Sequence, residues 1–168
     1  MWETEKPEGP TPSLPDVSDV PGPCFLGRYA HSLDEKRRVS LPKVFRDELG
    51  EGTSLYLIPA FDPCLWVFTE PRFAEFKKRI SKMQEPGFGT GDSKVRAFRR
   101  EIFSRCAKVT LDKQGRVALP PELCKGVGID KEVVFLGVDE RIELWSPRAE
   151  EVKDDPDRLW RLSRELIG

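Results

Sequence analysis

The stretch that decides the fold is Leu33-Asp34-Glu35-Lys36-Arg37-Arg38-Val39-Ser40-Leu41-Pro42. It returns 78 residues later, with six positions identical, as Leu111-Asp112-Lys113-Gln114-Gly115-Arg116-Val117-Ala118-Leu119-Pro120. Such a repeat means that one structural unit is used twice. A second match lies further along the chain. Residues 62–68 and 71–72 correspond to residues 139–145 and 147–148. Two copies of a unit of roughly 45 residues therefore organise the chain.

A unit of this length is marginal by itself. So short a segment buries too little apolar surface to offset the conformational entropy that it loses on folding. The whole chain of 168 residues is long enough to enclose a sizeable core. We therefore expect the two copies to pack on each other.

Each copy has the pattern of a strand, a polar turn, a strand, a short helix and two further strands. In copy one we predict a helix over 42–49 and strands over 25–33, 38–41, 55–59 and 65–68. In copy two we predict a helix over 120–125 and strands over 106–111, 116–119, 132–136 and 141–145. Pro42 and Pro120 begin the helices, where the missing N–H costs nothing. Gly50 and Gly126 are expected to end them.

Further helices are predicted outside the copies, over residues 71–83, 92–105 and 155–167, with a flexible break over 84–91. In the second of these helices an apolar stripe lies opposite Arg96, Arg99, Arg100 and Arg105. A basic helix can enter a major groove, so this one is a candidate DNA contact. The alternative is a solvated outer face above a packing stripe.

Charge is unevenly distributed along a chain whose formal net charge is only −1. Residues 1–23 hold six prolines and carry one cation against five acids, so we expect a disordered acidic extension. Residues 72–108 carry eleven cations against four acids. A basic middle with acidic flanks suits a surface that faces a polyanion, although charge runs are often only solvated.

Several function classes have little support. The four cysteines form no C-x-x-C pair, the chain has one histidine, and no carboxylate cluster has metal-ligand spacing. We therefore expect packed thiols in a reducing cytoplasm, no metal, no cofactor, no small-molecule substrate and no enzymatic activity. No apolar run approaches the ~18 residues of a membrane span, so no membrane partner is expected.

The repeated Asp-x-x-x-Arg motif allows two interpretations. In the first, Asp34 or Asp112 begins a turn and accepts hydrogen bonds from its backbone, while the Arg four residues later reaches the carboxylate across the hairpin. In the second, the turn presents cations to phosphates and base edges, for which the planar fork of Arg is well suited. The cations concerned are Lys36, Arg37 and Arg38 in copy one, and Lys113 and Arg116 in copy two.

These residues carry a resemblance to a known family. Phe25-Leu-Gly-Arg, the two Asp-x-x-x-Arg stretches, Pro63-Cys-Leu-Trp-Val and Ile142-Glu-Leu-Trp together resemble MraZ, a bacterial regulator family associated with the division and cell-wall gene cluster. The resemblance covers about residues 25–152. It implies two intertwined AbrB-like swapped-hairpin repeats that form a double-split β-barrel, mainly β with short helices. It also implies ring-shaped homo-oligomers that bind tandem promoter repeats in double-stranded DNA.

Carried over residue by residue, the resemblance places the DNA-contacting Arg of the first motif on Arg38, beside Lys36. In the second motif, Asp112 and Arg116 match. The family usually has Gly before the first Arg, as copy two has at Gly115, whereas copy one has Arg37. Because Gly would permit a positive φ, Arg37 must avoid that conformation or tolerate strain. We favour copy one, with its three adjacent cations, as the DNA reader, and Arg116 with Lys113 as secondary contacts.

The sequence thus predicts five segments: a disordered extension (1–23), repeat one (28–73), a helical connector (74–104), repeat two (105–148) and a helical tail (149–168). The resemblance implies a sequence-specific DNA-binding transcriptional regulator, in the cytoplasm at the nucleoid, that represses its own division and cell-wall gene cluster. One alternative is a non-enzymatic oligomeric scaffold that binds protein partners. Another is an AbrB-type antitoxin, which we disfavour because such proteins usually carry one copy and a partner-binding tail.

Overall fold

A computed structural model describes residues 22–59, 61–82, 93–151 and 155–168. The predicted break at 84–91, the cap Asp92 and nearly all of the acidic extension lie outside these residues. The described strands are β1 (Phe25–Ser32), β2 (Arg38–Ser40), β3 (Ser54–Pro59), β4 (Leu65–Thr69), β5 (Ala107–Thr110), β6 (Arg116–Ala118), β7 (Glu132–Asp139) and β8 (Arg141–Trp145). The helices are α1 (Lys43–Glu48), α2 (Glu70–Lys82), α3 (Ser93–Arg105), α4 (Pro121–Val127), α5 (Pro147–Glu151) and α6 (Pro156–Leu166).

The expectation of a mainly β protein with short helices is confirmed. The described strands form a six-stranded antiparallel sheet and a separate two-stranded sheet, and both are open. Strand β7 runs to Asp139 instead of ending at the predicted Leu136, so only Glu140 lies between β7 and β8. Asp139 adopts a φ of 58° there, which asparagine and aspartate tolerate better than most residues.

The predicted C-terminal ends of helices α1 and α4 both differ from those in the structure. Helix α4 continues through Gly126 and ends at Gly128, whose φ of 75° lies in the left-handed region. The N–H of Gly128 closes the helix on the carbonyls of Cys124 and Lys125. Helix α1 ends at Leu49 with extended backbone, so Gly50 is not a left-handed cap. In each case the apolar residue that follows the last turn, Leu49 or Ile129, is buried and sets where the chain leaves the helix.

The strand order of the large sheet is β1-β7-β8-β4-β3-β5. The repeat makes β1 equivalent to β5, β3 to β7 and β4 to β8, so exchanging the copies reproduces the same order read backwards. Each outer strand of one copy pairs with an inner strand of the other, and the inner hairpins meet where β4 pairs with β8. The copies are therefore intertwined, and neither forms the sheet alone.

Equivalent residues meet at the centre of both sheets. In the two-stranded sheet, Val39 of β2 lies opposite Val117 of β6, and these valines occupy the same position in the repeat. In the large sheet, Trp66 lies opposite its own equivalent, Glu143. An approximate two-fold axis through these two pairs relates copy one to copy two.

The main core lies between the small sheet and one face of the large sheet. Val39 and Val117 are almost completely buried there, with Phe45 of α1 and Cys124 of α4 beside them. Because side chains alternate along a strand, Leu55 and Leu57 of β3, for example, face this core. Helices α1 and α4 therefore share a layer with the small sheet.

Helices α2 and α3 cover the opposite face of the large sheet. A second cluster forms where Phe76 and Ile80 of α2 and Ile102 of α3 pack against Ile58 of β3 and Phe68 of β4. The aromatic ring of Tyr56 also points to this side, stacked on Phe73 at 4.3 Å between ring centres. The large sheet thus separates the α2–α3 layer from the small sheet.

The expectation of packed thiols is wrong for one cysteine. Cys64 and Cys124 are buried and Cys106 is half-buried, but Cys24 is exposed just before β1. Burial raises the pKa of the Cys106 thiol to about 11, so that thiol stays protonated at neutral pH.

The two glycines near the end of α4 give opposite predictions. Gly126 lies in the helix and an added Cβ would meet no atom within 4 Å, so Gly126→Ala should raise the free energy of unfolding by about 0.5–1 kcal/mol. Gly128→Ala should lower it by about 1–2 kcal/mol, because alanine is strained at positive φ. Urea unfolding of the matched variants checks this pair. A stabilised Gly128→Ala protein would contradict the observed helix end.

Candidate nucleic-acid interface

Strands β2 and β6 form a two-stranded ribbon at the surface. Arg38 lies opposite Ala118, and Ser40 lies opposite Arg116. With Val39 and Val117 facing the core, period-two alternation points these four side chains outward. The ribbon therefore carries two arginines at diagonal positions on its outer face, one from each copy.

A turn precedes each ribbon strand, and the Asp of the motif holds it together. In copy one, Asp34 Oδ1 accepts hydrogen bonds from the backbone N–H groups of Lys36 at 2.9 Å and Arg38 at 2.8 Å. Its Oδ2 accepts a bond from Arg38 Nε at 2.8 Å. The N–H of Asp34 itself donates to the carbonyl of Arg38 at 2.8 Å, which closes the hairpin.

Copy two repeats this arrangement atom for atom. Asp112 Oδ1 accepts from the N–H groups of Gln114 at 2.9 Å and Arg116 at 2.8 Å, and Oδ2 accepts from Arg116 Nε at 3.0 Å. The clasp predicted as the structural interpretation of the motif is therefore present in both turns. The two motifs differ at four positions, yet the hydrogen bonds of the turns are the same. The Asp, the Arg and the hairpin therefore determine the geometry of the turn.

The clasp also orients the arginines. Each uses Nε to reach its Asp, and within the described residues no protein atom accepts a hydrogen bond from the Nη atoms of Arg38 or Arg116. The two side chains are about one-third and one-quarter exposed, at 32% and 27%. A guanidinium held at one edge keeps its remaining donors in a fixed direction, so the structural interpretation and a binding role are compatible.

The lysines of the two turns are exposed. Lys36 and Lys113 occupy the second and first positions after their Asp, and neither side chain forms an ion pair with a described residue. Both lie in the turns that lead into the ribbon strands. They add exposed positive charge close in sequence to the clasped arginines.

Arg37 is placed differently from the other predicted site residues. Its φ is 62°, so it adopts the left-handed conformation that Gly115 adopts in copy two with φ 76°. Its guanidinium donates to the carbonyls of Asp130 at 2.6 Å and Ile129 at 3.4 Å, in the connection between α4 and β7. The Arg37 side chain thus contacts protein acceptors instead of extending from the tip of the turn.

The two prolines of the motif link the ribbon to its helices. Pro42 and Pro120 are the N-cap residues of α1 and α4, with extended backbone. Their carbonyls accept the first helical hydrogen bonds, from Phe45 at 2.9 Å and Cys124 at 3.1 Å. Both act as turn residues between strand and helix, which joins each ribbon strand to a helix that packs on the core through one buried residue, Phe45 in α1 and Cys124 in α4.

The rival site on α3 lies elsewhere. Arg96 and Arg100 are exposed, whereas Arg99 is half-buried with its guanidinium 5.3 Å from the ring centre of Phe103. Helix α3 is in the layer on the far side of the large sheet from the ribbon. One straight duplex lying on the ribbon of a subunit therefore cannot reach the α3 arginines of that same subunit.

The described residues contain no group of three or more His, Cys, Asp or Glu side chains that could hold a metal ion. The cavity inside the main core is lined by apolar residues, and its volume of ≈ 10 Å³ is at the lower limit for holding one water molecule. None of the described helices is both long and apolar enough to cross a membrane.

The fold and this surface define a class: a two-repeat, mainly β protein whose intertwined halves present a cationic β-ribbon. The family model for the MraZ protein, described as antitoxin-like, matches residues 24–87 and 102–150. The chain belongs to the MraZ family.

Individual relatives agree with this family. A protein of Clostridium acetobutylicum is 38% identical over 122 residues, which cover 73% of this chain and 81% of the relative. One of Carboxydothermus hydrogenoformans is 40% identical over 122 residues, covering 73% and 80%. One of Moorella thermoacetica is 35% identical over 145 residues, covering 85% and 96%. Each of the three is named transcriptional regulator MraZ.

The clasps give a prediction about pH. Backbone N–H donation from Arg38, helped by its guanidinium, holds the pKa of the Asp34 carboxyl below its ordinary value of 3.8. The N–H of Arg116 does the same for Asp112. Because the folded state favours the charged carboxylates, the stability they add is present above the ordinary pKa and is lost as pH falls through the lowered values.

Titration of the aspartate carboxyl carbons by NMR measures both pKa values directly. Asp34→Asn and Asp112→Asn identify the two resonances and remove the corresponding acid dependence of unfolding. A midpoint at or above 3.8 for either residue would show that its clasp is open in solution.

Proposed function

We propose that this protein is a sequence-specific, duplex-DNA-binding transcriptional regulator that uses the β2–β6 ribbon as its reading surface. The observation that carries the proposal is the pair of clasped arginines, Arg38 and Arg116, on the outer face of a ribbon whose other face is buried. The names of the relatives, all transcriptional regulators, support the same function.

The ribbon has a suitable shape for the major groove, which admits a two-stranded β-ribbon as well as a helix. The Nη donors of a guanidinium can contact O6 and N7 of one guanine, which is the commonest specific contact with DNA. The Asp clasp fixes the direction of each guanidinium before DNA arrives. Preorganisation of this kind lowers the entropy lost on binding.

Phosphate contacts come from the turns. Lys36 and Lys113 lie beside the ribbon and would fix its register on the backbone, where charge matters more than base identity. We propose Arg38 with Lys36 as the main reader and Arg116 with Lys113 as secondary contacts. Asp34, Asp112, Gly115, Pro42 and Pro120 shape the turns and make no proposed DNA contact.

One ribbon offers few contacts, so tight binding requires several subunits. We propose a ring-shaped homo-oligomer on tandem promoter repeats, in which the two intertwined, AbrB-like swapped-hairpin repeats of each subunit together form a double-split β-barrel. Once one subunit is bound, its neighbours bind at high effective concentration where the repeats match the subunit spacing. Such an assembly would work at the nucleoid in the cytoplasm, without a cofactor, and would repress the protein's own division and cell-wall gene cluster.

A gel shift with the DNA just upstream of this protein's own gene tests the proposal. The wild type should bind this DNA and not a shuffled duplex. Arg38→Ala should abolish binding while circular dichroism and light scattering show an unchanged fold and assembly. The matched control is Arg100→Ala on α3, which removes an exposed arginine of equal charge on the far side of the sheet and should bind normally.

Each contrary result has a defined meaning. Tight binding by Arg38→Ala would remove the ribbon as the reading surface. Loss of binding in Arg100→Ala, with Arg38→Ala unaffected, would move the site to α3. A particle of monomer mass on repeat DNA would contradict the ring.

Salt dependence supplies a further prediction. If an assembly engages about 6–10 phosphates, affinity should fall on the order of 10³–10⁵-fold between about 50 and 200 mM salt. Lys36→Ala should lower the slope of log affinity against log salt concentration, because fewer counterions are released for each subunit. Fluorescence anisotropy at several salt concentrations measures the slope. A binding constant that is insensitive to salt would contradict phosphate-directed docking.

A second candidate function is a scaffold that binds protein partners. Helix α6 favours it, because Leu159, Trp160 and Leu166 form an apolar arc with exposed fractions of 63%, 63% and 80%. An isolated helix of this length is marginal in water. The gel shift separates the two candidates, since a scaffold would show no preference for the upstream DNA.

A further inference from the structure

We propose that Arg37 is a positioning residue for the copy-one turn and makes no contact with phosphate. The expected effect of Arg37 on DNA binding rests on the proposed function, but its role in positioning the turn can be tested on the protein without DNA. It differs from the assignment that three adjacent cations suggest, in which Lys36, Arg37 and Arg38 all face DNA.

The contacts of Arg37 are directed inward. Its Nη1 lies 2.6 Å from the carbonyl oxygen of Asp130 and 3.9 Å from that residue's Oδ1, and its Nη2 lies 3.4 Å from the carbonyl oxygen of Ile129. Its backbone carbonyl accepts a bond of 2.9 Å from the N–H of Leu119, just beyond β6. One residue therefore ties the turn to the opposite ribbon strand and to the connection after α4.

The equivalent position in copy two, Gly115, is supported by a different side chain. Gly115 has no side chain, and an added Cβ would overlap the Cδ of Arg46. That arginine comes from α1 and covers the glycine. The carbonyl of Gly115 accepts a bond of 2.9 Å from the N–H of Leu41, as the carbonyl of Arg37 does from Leu119.

The residues that form these two arrangements occupy equivalent positions in the repeat. Residue 46 is equivalent to residue 124, so the pair Gly115 and Arg46 corresponds to the pair Arg37 and Cys124. The guanidinium of Arg37 also lies close enough to Cys124 to oppose the effect of burial, which raises the pKa of that thiol. Each turn is thus covered by one arginine, supplied by the helix in one half and by the turn itself in the other.

This exchange explains how a non-glycine residue occupies the left-handed position. The small side chain of Cys124 leaves the space that Arg46 fills in the other half, and the Arg37 side chain uses that space. Hydrogen bonds to the carbonyls of Asp130 and Ile129 hold the side chain there, while its buried Nε has no hydrogen-bond partner among the described residues. Because Arg38 follows directly in the chain, this anchor supports the turn backbone in which Asp34 holds the Arg38 guanidinium.

The DNA test compares Arg37→Ala with Lys36→Ala. Arg37→Ala should weaken binding to the upstream DNA at least tenfold and leave the salt slope within error of wild type. Lys36→Ala should lower that slope. Arg37→Lys, which keeps the charge but lacks the planar fork, should behave like Arg37→Ala. A slope reduced in Arg37→Ala as in Lys36→Ala would overturn the proposal.

Amide hydrogen exchange tests the positioning role without DNA. Arg37→Ala should speed exchange of the Arg38 and Leu119 amides at least tenfold relative to the Arg116 and Leu41 amides, which serve as internal controls. Unchanged exchange at the copy-one turn would overturn the proposal whether or not the protein binds DNA. If Arg37→Ala speeds exchange of these amides but the wild type gives no gel shift, the proposed DNA-binding function is wrong and the positioning role of Arg37 still holds.

Transplanting the arrangement gives a reciprocal test. Gly115→Arg should lower the melting temperature through overlap with Arg46. Adding Arg46→Cys should recover at least half of that loss, because the new arginine then has the space and can reach the carbonyls of residues 51 and 52, which are equivalent to 129 and 130. A double variant no more stable than Gly115→Arg alone would contradict the exchange.

Discussion

The rest of the structure depends on antiparallel pairing between equivalent residues of the two copies. Val39 meets Val117 in the ribbon, and Trp66 meets Glu143 in the large sheet. A strand can pair with its own equivalent only on a two-fold axis, so these two contacts fix how the halves interlock. Burial of both valines then follows, because the axis brings them to the core side of the ribbon together.

That pairing also decides what faces solvent. Alternation along a strand leaves no choice once Val39 points inward: the neighbours on either side must point out. The motif places an arginine directly before the valine in each copy, so two arginines reach the outer face at diagonal positions. The Asp four residues earlier then holds each guanidinium at one edge. The packing of the two valines in the core and the placement of the two arginines on the proposed reading surface therefore both follow from the strand pairing of the ribbon.

Much of this arrangement could be predicted from local sequence. The repeat predicted two equivalent units, the Asp-x-x-x-Arg spacing predicted the clasp, and the prolines predicted the strand-to-helix corners. Features set by contacts distant in sequence could not be predicted. The end of α4 depends on burial of Ile129, which favours Gly128 over Gly126 as the stop. The separation of α3 from the ribbon depends on which sheet face each cluster covers, and charge alone gives no information on that.

Arg37 shows that neighbouring residues of one local pattern can have different contacts. Three consecutive cations look like one surface, but consecutive residues in a turn point in different directions, and the left-handed φ of Arg37 turns its side chain towards the body of the protein. The deciding contact is with a carbonyl 93 residues away, next to a helix from the other copy. Each half has one arginine at this point. It comes from the helix in one half and from the turn in the other, so the two turns are alike in backbone and differ in the side chain that supports them.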